Sequence, residues 1–278
     1  PACIKSIIEE GIKEVYIGCK DPSQKGVEKL KKAGLKVKSG LLENESLELN
    51  RGFFSRINRQ RPFVTCKIAC SLDGGIGLKT GGNKWITSKE SREDVHKLRA
   101  NADAILTGIE TVLADNPKLT VRNKEFKKLG KGIHPKRYVL DSKLRLKGNE
   151  NLLTDGLETT IFCHKLKKVD YQNSQIKIVE AAGKSNRVSL KKVMDYLNKE
   201  ECNHLMVEAG SKINTSFIAS KLIDELIFYV APTTLGKNKI NFSEFESSFS
   251  NIGTIHLELK EINEIGPDIK LVTKPIYS

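Results

Sequence analysis

No run of about 18 apolar residues occurs anywhere in the chain, so a membrane-spanning helix is excluded. Six cysteines in 278 residues are too few for a secreted disulfide scaffold. No two of Cys3, Cys19, Cys66, Cys70, Cys163 and Cys202 stand at the C-x-x-C spacing of a zinc knuckle or redox pair. No signal-peptide pattern opens the sequence. A G-x-G-x-x-G fingerprint is missing: Gly75-Ile76-Gly77 and Thr80-Gly81-Gly82 are glycine-rich at the wrong spacing. A dinucleotide, if bound, is therefore bound on a non-Rossmann fold. Arginine-rich arms, RNP-type aromatic motifs and zinc fingers are also lacking.

What is present is a globular balance of 38% hydrophobic and 29% charged residues, long enough for about two domains. The net charge of +13 is carried mostly by lysine and spread along the chain: residues 1–61 hold 13 basic and 8 acidic side chains. A solvated lysine-rich surface accounts for it better than nucleic-acid binding, with a few cations left to face an anionic small ligand. The expectation is a soluble, cytoplasmic protein of a reducing compartment, with no nucleic-acid or membrane partner.

Residues 1–57 read as an αβαβα stretch, with helices over 4–10, 25–33 and 43–57 and strands over 14–18 and 35–38. The polar run Asn58-Arg59-Gln60-Arg61-Pro62 marks a domain boundary, dividing the chain into 1–61 and 62–278. Beyond it strands and helices alternate, which predicts an α/β fold. Phe63–Cys70 reads as a strand, and Cys66 and Cys70, four apart, fall on one face as small core residues. Ser88 and Ser189 are N-cap candidates for helices over 89–100 and 190–199. Residues 233–252 read as loop.

The unit Val207-Glu208-Ala209-Gly210-Ser211 is a buried strand ending in a carboxylate, then small residues, then a helix start. Such a turn can hold a phosphate on free helix N–H groups, helped by Ser211, Thr215 or Ser216. It is equally readable as an ordinary strand-to-helix connection. Arg99 and Arg122 stand out among so many lysines. Their forked donors suit phosphate, though surface salt bridges are the commoner fate of an arginine.

A resemblance then covers nearly all of 62–278. It is carried by Lys67-Ile68-Ala69-Cys70-Ser71-Leu72-Asp73-Gly74, Trp85-Ile86-Thr87-Ser88, Leu98-Arg99, and Thr111-Val112-Leu113-Ala114-Asp115-Asn116-Pro117. Leu119-Thr120-Val121-Arg122, Asp141-Ser142, Val207-Glu208-Ala209-Gly210 and Gly266-Pro267-Asp268 continue it. These motifs resemble the reductase domain of the bifunctional riboflavin-biosynthesis pyrimidine deaminase/reductase family. The resemblance implies a dihydrofolate-reductase-like domain that uses NADPH to reduce the ribosyl group of a phosphorylated pyrimidine to ribityl, in a cytoplasmic homodimer. It implies Lys67 and Glu208 at the reacting carbon. Either can be the acid, Lys67 as a donor at a strand end or Glu208 through a pKa raised by burial. Arg99 and Arg122 would take the substrate phosphate, and Leu119 and Asn83 would contact substrate. Asn83 departs from the serine frequent in the family. Ala69, Trp85, Thr111, Asp115, Ser142, Gly210, Ser211, Lys212, Ile213, Asn214, Thr215 and Ser216 would hold NADPH.

Residues 1–61 are similar to the last part of that family's zinc-dependent, cytidine-deaminase-like domain, through Pro1-Ala2-Cys3, Lys32-Ala33-Gly34 and Asn50-Arg51-Gly52-Phe53-Phe54. By this match Cys3 is the last of the zinc ligands, and the site is incomplete in these 278 residues. The chain as it stands is expected not to deaminate. His256-Leu257-Glu258 has the H-x-E form of such sites but no Pro-Cys after it.

Overall fold

Val64, Cys66, Ile68 and Cys70 are all buried, and the residues between them face the other way. That alternation is the two-faced pattern of a strand inside a sheet. The computed structural model describes residues 2–81, 85–123, 126, 134–169, 171, 173–244 and 255–277.

From residue 63 the chain forms β3 (Phe63–Ser71), β4 (Gly75–Leu78), α5 (Lys89–Ala100), β5 (Ala104–Gly108), α6 (Ile109–Asp115), β6 (Lys136–Leu140) and α7 (Asn151–Thr154). Then come β7 (Thr159–Cys163), β8 (Ile176–Glu180), α8 (Leu190–Lys199), β9 (His204–Val207), α9 (Ser211–Ala219), β10 (Glu225–Ala231), β11 (Lys239–Asn241), β12 (His256–Ile265) and β13 (Asp268–Ile276). Nine strands make one sheet in the order β12-β13-β10-β3-β9-β5-β6-β7-β8. The seven from β10 to β8 are parallel, and the hairpin β12–β13 closes one side antiparallel. Every residue of β5 and of β7 is buried, as expected where helices cover both faces. Helices α8 and α9 bring Val193, Leu197 and Phe217 onto the face of Cys66, Leu106 and Val207. Helix α5 brings Val95 onto the opposite face, against Met206, Ile227 and Tyr229.

The expected caps are observed: Ser88 accepts the N–H of Ser91, and Ser189 that of Lys192. Two readings change. The helix expected over 43–57 is two, because Asn50 turns its side-chain amide back onto the Ser46 carbonyl between them. The glycine run read as a turn contains β4, paired with β11 inside the span read as loop. A Cβ on Gly75 would come within 2.9 Å of Leu235 and Lys239, so glycine is needed there for closeness, and a four-residue strand with two glycines reads as a turn. Part of the loop reading, 245–254, lies outside the described residues.

The first residues form α1 (Ala2–Glu9), β1 (Glu14–Ile17), α2 (Gly26–Lys32), β2 (Lys36–Ser39), α3 (Glu43–Leu49) and α4 (Arg51–Arg59), with β1 and β2 paired in parallel. The polar run after α4 is pinned to the large sheet. Arg59 and Arg61 both pair with Asp224, at 2.6 and 2.7 Å, and Arg51 pairs with Glu225 at 2.6 Å. Among the described residues no helix is long and apolar enough to cross a membrane.

Candidate active site

Strand β3 outruns its neighbour β9: Cys66 pairs with Val207, the last residue of β9. The next residue on each chain is therefore Lys67 beside Glu208. The Glu208 N–H bonds to Leu106 O at 2.9 Å, which holds its carboxylate at the carboxyl ends of the parallel strands. Arg99, in the last turn of α5, donates Nε to Glu208 Oε1 at 2.6 Å and Nη2 to Oε2 at 3.0 Å. Lys67 Nζ stands 3.5 Å from Oε2. All three side chains are nearly buried.

Burial alone would raise the Glu208 carboxyl, but the Arg99 guanidinium and the Lys67 ammonium outweigh it and bring it down to about 2. The expectation of a raised Glu208 is thus corrected. Two cations within reach favour the ionised form, and at neutral pH this carboxylate has no proton to give.

The segment 117–123 passes over the cluster. It carries Leu119, buried and in the left-handed region at φ 52°, and Arg122, which is exposed. A left-handed leucine is strained backbone of the kind that clusters at functional sites. The third nitrogen of Arg99 donates to Thr120 O at 3.1 Å. Arg99 thus has its donors on Glu208 and Thr120, while the exposed Arg122 lies within electrostatic reach of both Arg99 and Glu208.

Of the cofactor candidates, Gly210 to Ser216 lie at the start of α9 and Thr111 in α6. Gly210 precedes α9 without any side-chain cap, and the first helical bonds reach it only from Ile213 and Asn214. The earlier amides are left for a ligand. Ser211 Oγ is buried with no hydrogen-bond partner among the described residues, and so is Thr107 Oγ1 at the end of β5. A Cβ on Gly210 would lie 3.8 Å from Thr111 Oγ1, so Thr111 belongs to the same cradle. An orphaned hydroxyl at a bare helix start fits a pyrophosphate. Ala69 is on the Lys67 face of β3. Trp85 is exposed, with the Arg92 guanidinium 4.8 Å from its ring centre.

Other candidates are engaged elsewhere. Asn214 bonds Phe242 O and the Cys66 thiol. Thr215 and Ser216 turn their hydroxyls back to Ser211 O and Lys212 O. Ser142, just past β6, accepts the Val188 N–H. Lys212 is exposed, Ile213 packs on Gly108, and Asp115 ends α6. Asn83 lies outside the described residues. Cys3 is an exposed free thiol on α1, and no cluster of three or more His, Cys, Asp or Glu forms among the described residues. These donors do not fit a zinc centre. His256 and Glu258 lie on the exposed strand β12.

Sequence reading missed Thr107, Gly108 and His96. Leu106-Thr107-Gly108 repeats the small-residue strand-to-helix junction of Val207–Gly210, so its signal was there to find.

The fold and the comparisons that follow define a class, an α/β, dihydrofolate-reductase-like oxidoreductase, and here an ion-paired cluster stands beside an uncapped helix start. Residues 62–271 match the family described as the RibD C-terminal domain. The chain is 36% identical to the riboflavin biosynthesis protein RibD of Bacillus amyloliquefaciens, over 99% of this chain and 75% of that protein. It is 32% identical to the 5-amino-6-(5-phosphoribosylamino)uracil reductase of Buchnera aphidicola subsp. Acyrthosiphon pisum, over 71% of this chain and 99% of that protein. The solved structure of Acinetobacter baumannii RibD, form 2, superposes with a TM-score of 0.85 at 29% identity, over 99% of this chain and 76% of that one. The chain belongs to the RibD family and is an oxidoreductase of riboflavin biosynthesis.

Proposed function

We propose that the chain reduces the ribosyl group of 5-amino-6-(5-phosphoribosylamino)uracil to the ribityl group, with NADPH as reductant and with residues 62–278 as the reductase unit. The observation that carries this is the Lys67–Glu208–Arg99 cluster set at the strand ends beside the uncapped start of α9. The Buchnera relative's name supports the substrate.

NADPH, when bound, supplies a hydride to C1′ of the opened ribose. Gly210 and Ser211 would hold its pyrophosphate, Thr111 would stand beside them, and Ala69 and Trp85 would contact the cofactor. The ionised Glu208 orients the substrate and balances Lys67. Lys67 therefore gives the proton that the reduced nitrogen or oxygen needs, since Glu208 carries none. Lys67, Arg99 and Arg122 outnumber Glu208, and the surplus suits a phosphorylated substrate. Arg122 takes the phosphate, Leu119 lines the pocket, and Arg99 braces both the carboxylate and the segment that carries Arg122.

Residues 1–61 are the end of a deaminase-type unit. The chain works as a cytoplasmic homodimer without a nucleic-acid partner. The outer strand β12 exposes Leu257, Leu259 and Ile262 along a sheet edge that no other strand pairs among the described residues, which supports pairing with a second copy.

The test is loss of NADPH absorbance with the phosphoribosylamino-uracil and, in parallel, with its undeaminated precursor. Turnover of the former is expected. Turnover of neither by folded protein overturns the reading.

A further inference from the structure

The segment 117–123 belongs to neither strand nor helix, yet Leu119, Thr120 and Val121 are buried. Buried backbone needs partners. Here side chains provide them. Lys118 O accepts from Arg137 Nη1 at 3.0 Å, and Thr120 O from Arg99 Nη1 at 3.1 Å. The Val121 N–H donates to His134 Nδ1, and the Arg122 N–H to His96 Nδ1, each at 3.3 Å. His96 sits one turn before Arg99 on α5, so the two reach the segment from one helix face.

We propose that His96 is a positioning residue: its Nδ1 lone pair fixes the backbone of Arg122 and thereby the place where the substrate phosphate is held. This rests on the reading of Arg122 as the phosphate ligand. An imidazole that accepts at Nδ1 carries its proton on Nε2. The groups facing it are Arg99 on its own helix, Arg122 on the segment and Glu208 after β9. Burial, then the two arginines, push His96 down to about 4 against the weaker opposing effects of Glu208 and a hydrogen bond to the Thr120 backbone, so the imidazole is neutral across the physiological range and the Arg122 N–H contact assigns its lone pair to Nδ1. The segment has no ladder to fall back on, so the loss of this acceptor lets Arg122 drift without disturbing the Lys67–Glu208 pair.

The test uses the full chain with His96→Leu, His96→Gln, Arg122→Ala and the His96→Leu/Arg122→Ala pair, assayed on the phosphorylated substrate and its dephosphorylated form. His96→Leu should raise KM for the phosphorylated substrate about tenfold, as expected for one lost hydrogen bond to a positioned group, with the loss in KM and not in kcat. Gln keeps an acceptor and should recover most of it. The dephosphorylated substrate should not distinguish the variants. In the Arg122→Ala background His96→Leu should add less than about twofold, because the effect runs through Arg122. Equal losses on both substrates, or multiplying effects in the pair, would overturn the proposal. Nitrogen chemical shifts of the wild-type imidazole give a second reading that needs no variant: a proton found on Nδ1 also overturns it. If Arg122→Ala leaves the preference for the phosphorylated compound intact, the phosphate reading itself fails, and that result is separate from any obtained at His96.

Discussion

The Arg99 guanidinium meets the Glu208 carboxylate side-on, Nε 2.6 Å from Oε1 and Nη2 3.0 Å from Oε2, and its remaining nitrogen holds Thr120 O at 3.1 Å. One side chain thus ties α5 to the carboxylate at the strand ends and to the segment bearing Arg122. The pair keeps Glu208 ionised, and the proposed proton donor is therefore Lys67.

Lys67→Met should lower kcat by about 10²–10⁴-fold, the usual worth of a positioned acid, while NADPH affinity is retained. Single-turnover kinetics with a cofactor titration decide it. A variant that turns over at the wild-type rate would show that the proton comes from elsewhere.

Glu208 links activity to acid stability. Its folded pKa, about 2, lies below the ordinary 4.5, so its contribution is complete above about 4.5 and is lost as the pH falls toward 2. Urea midpoints measured across that window should fall for the wild type and fall less for Glu208→Gln. At neutral pH Glu208→Gln should cost about 3–5 kcal/mol, because Arg99 is left buried without its counter-charge. His204 adds an earlier loss. Burial holds it below 6.5, so it favours folding most when neutral, and that contribution shrinks as the pH drops under 6.5.

Ser211→Ala should separate binding from folding. The hydroxyl has no partner among the described residues, so its removal should leave the melting temperature within error or slightly raised. NADPH Kd should rise about tenfold if this hydroxyl serves the pyrophosphate. Quenching of Trp85, the single tryptophan, reads the titration. Thr215→Val is the contrast: its hydroxyl donates to Ser211 O and accepts the Glu244 N–H, so its loss should appear as stability, about 1–2 kcal/mol.

Gly108→Ala tests how closely the two strand-to-helix turns pack. Its Cβ would stand 2.2 Å from Ile213 Cδ1, and the side chain or the start of α9 must give way. A cost of about 1–3 kcal/mol and weaker NADPH binding are expected. Ile213→Val in the same background should recover part of both, read by thermal melts and the same titration.

Much of the fold was legible because its signals are local. The strands β3 and β7 and the serine caps of α5 and α8 need only neighbouring residues to be recognised. The pairing of β4 with β11 was not legible, since two glycines in four residues carry a turn signal and the partner strand lies far along the chain. In the site, Lys67 and Glu208 were marked by a strand end and a motif. Their electrostatics were not, because the deciding partner, Arg99, is 109 residues from Glu208.

The sequence by itself determined the alternation of most strands and helices beyond residue 62, the shared face of Cys66 and Cys70 and the kinship with riboflavin-biosynthesis reductases, all carried by spacing and residue type. Tertiary structure alone decided the direction of the Glu208 shift, the fastening of residues 117–123 by His96, Arg99, His134 and Arg137, and the pinning of Arg59 and Arg61 to Asp224. Burial favours the neutral acid and a nearby cation favours the carboxylate. Which one wins depends on distances that only the packed sheet and helices set.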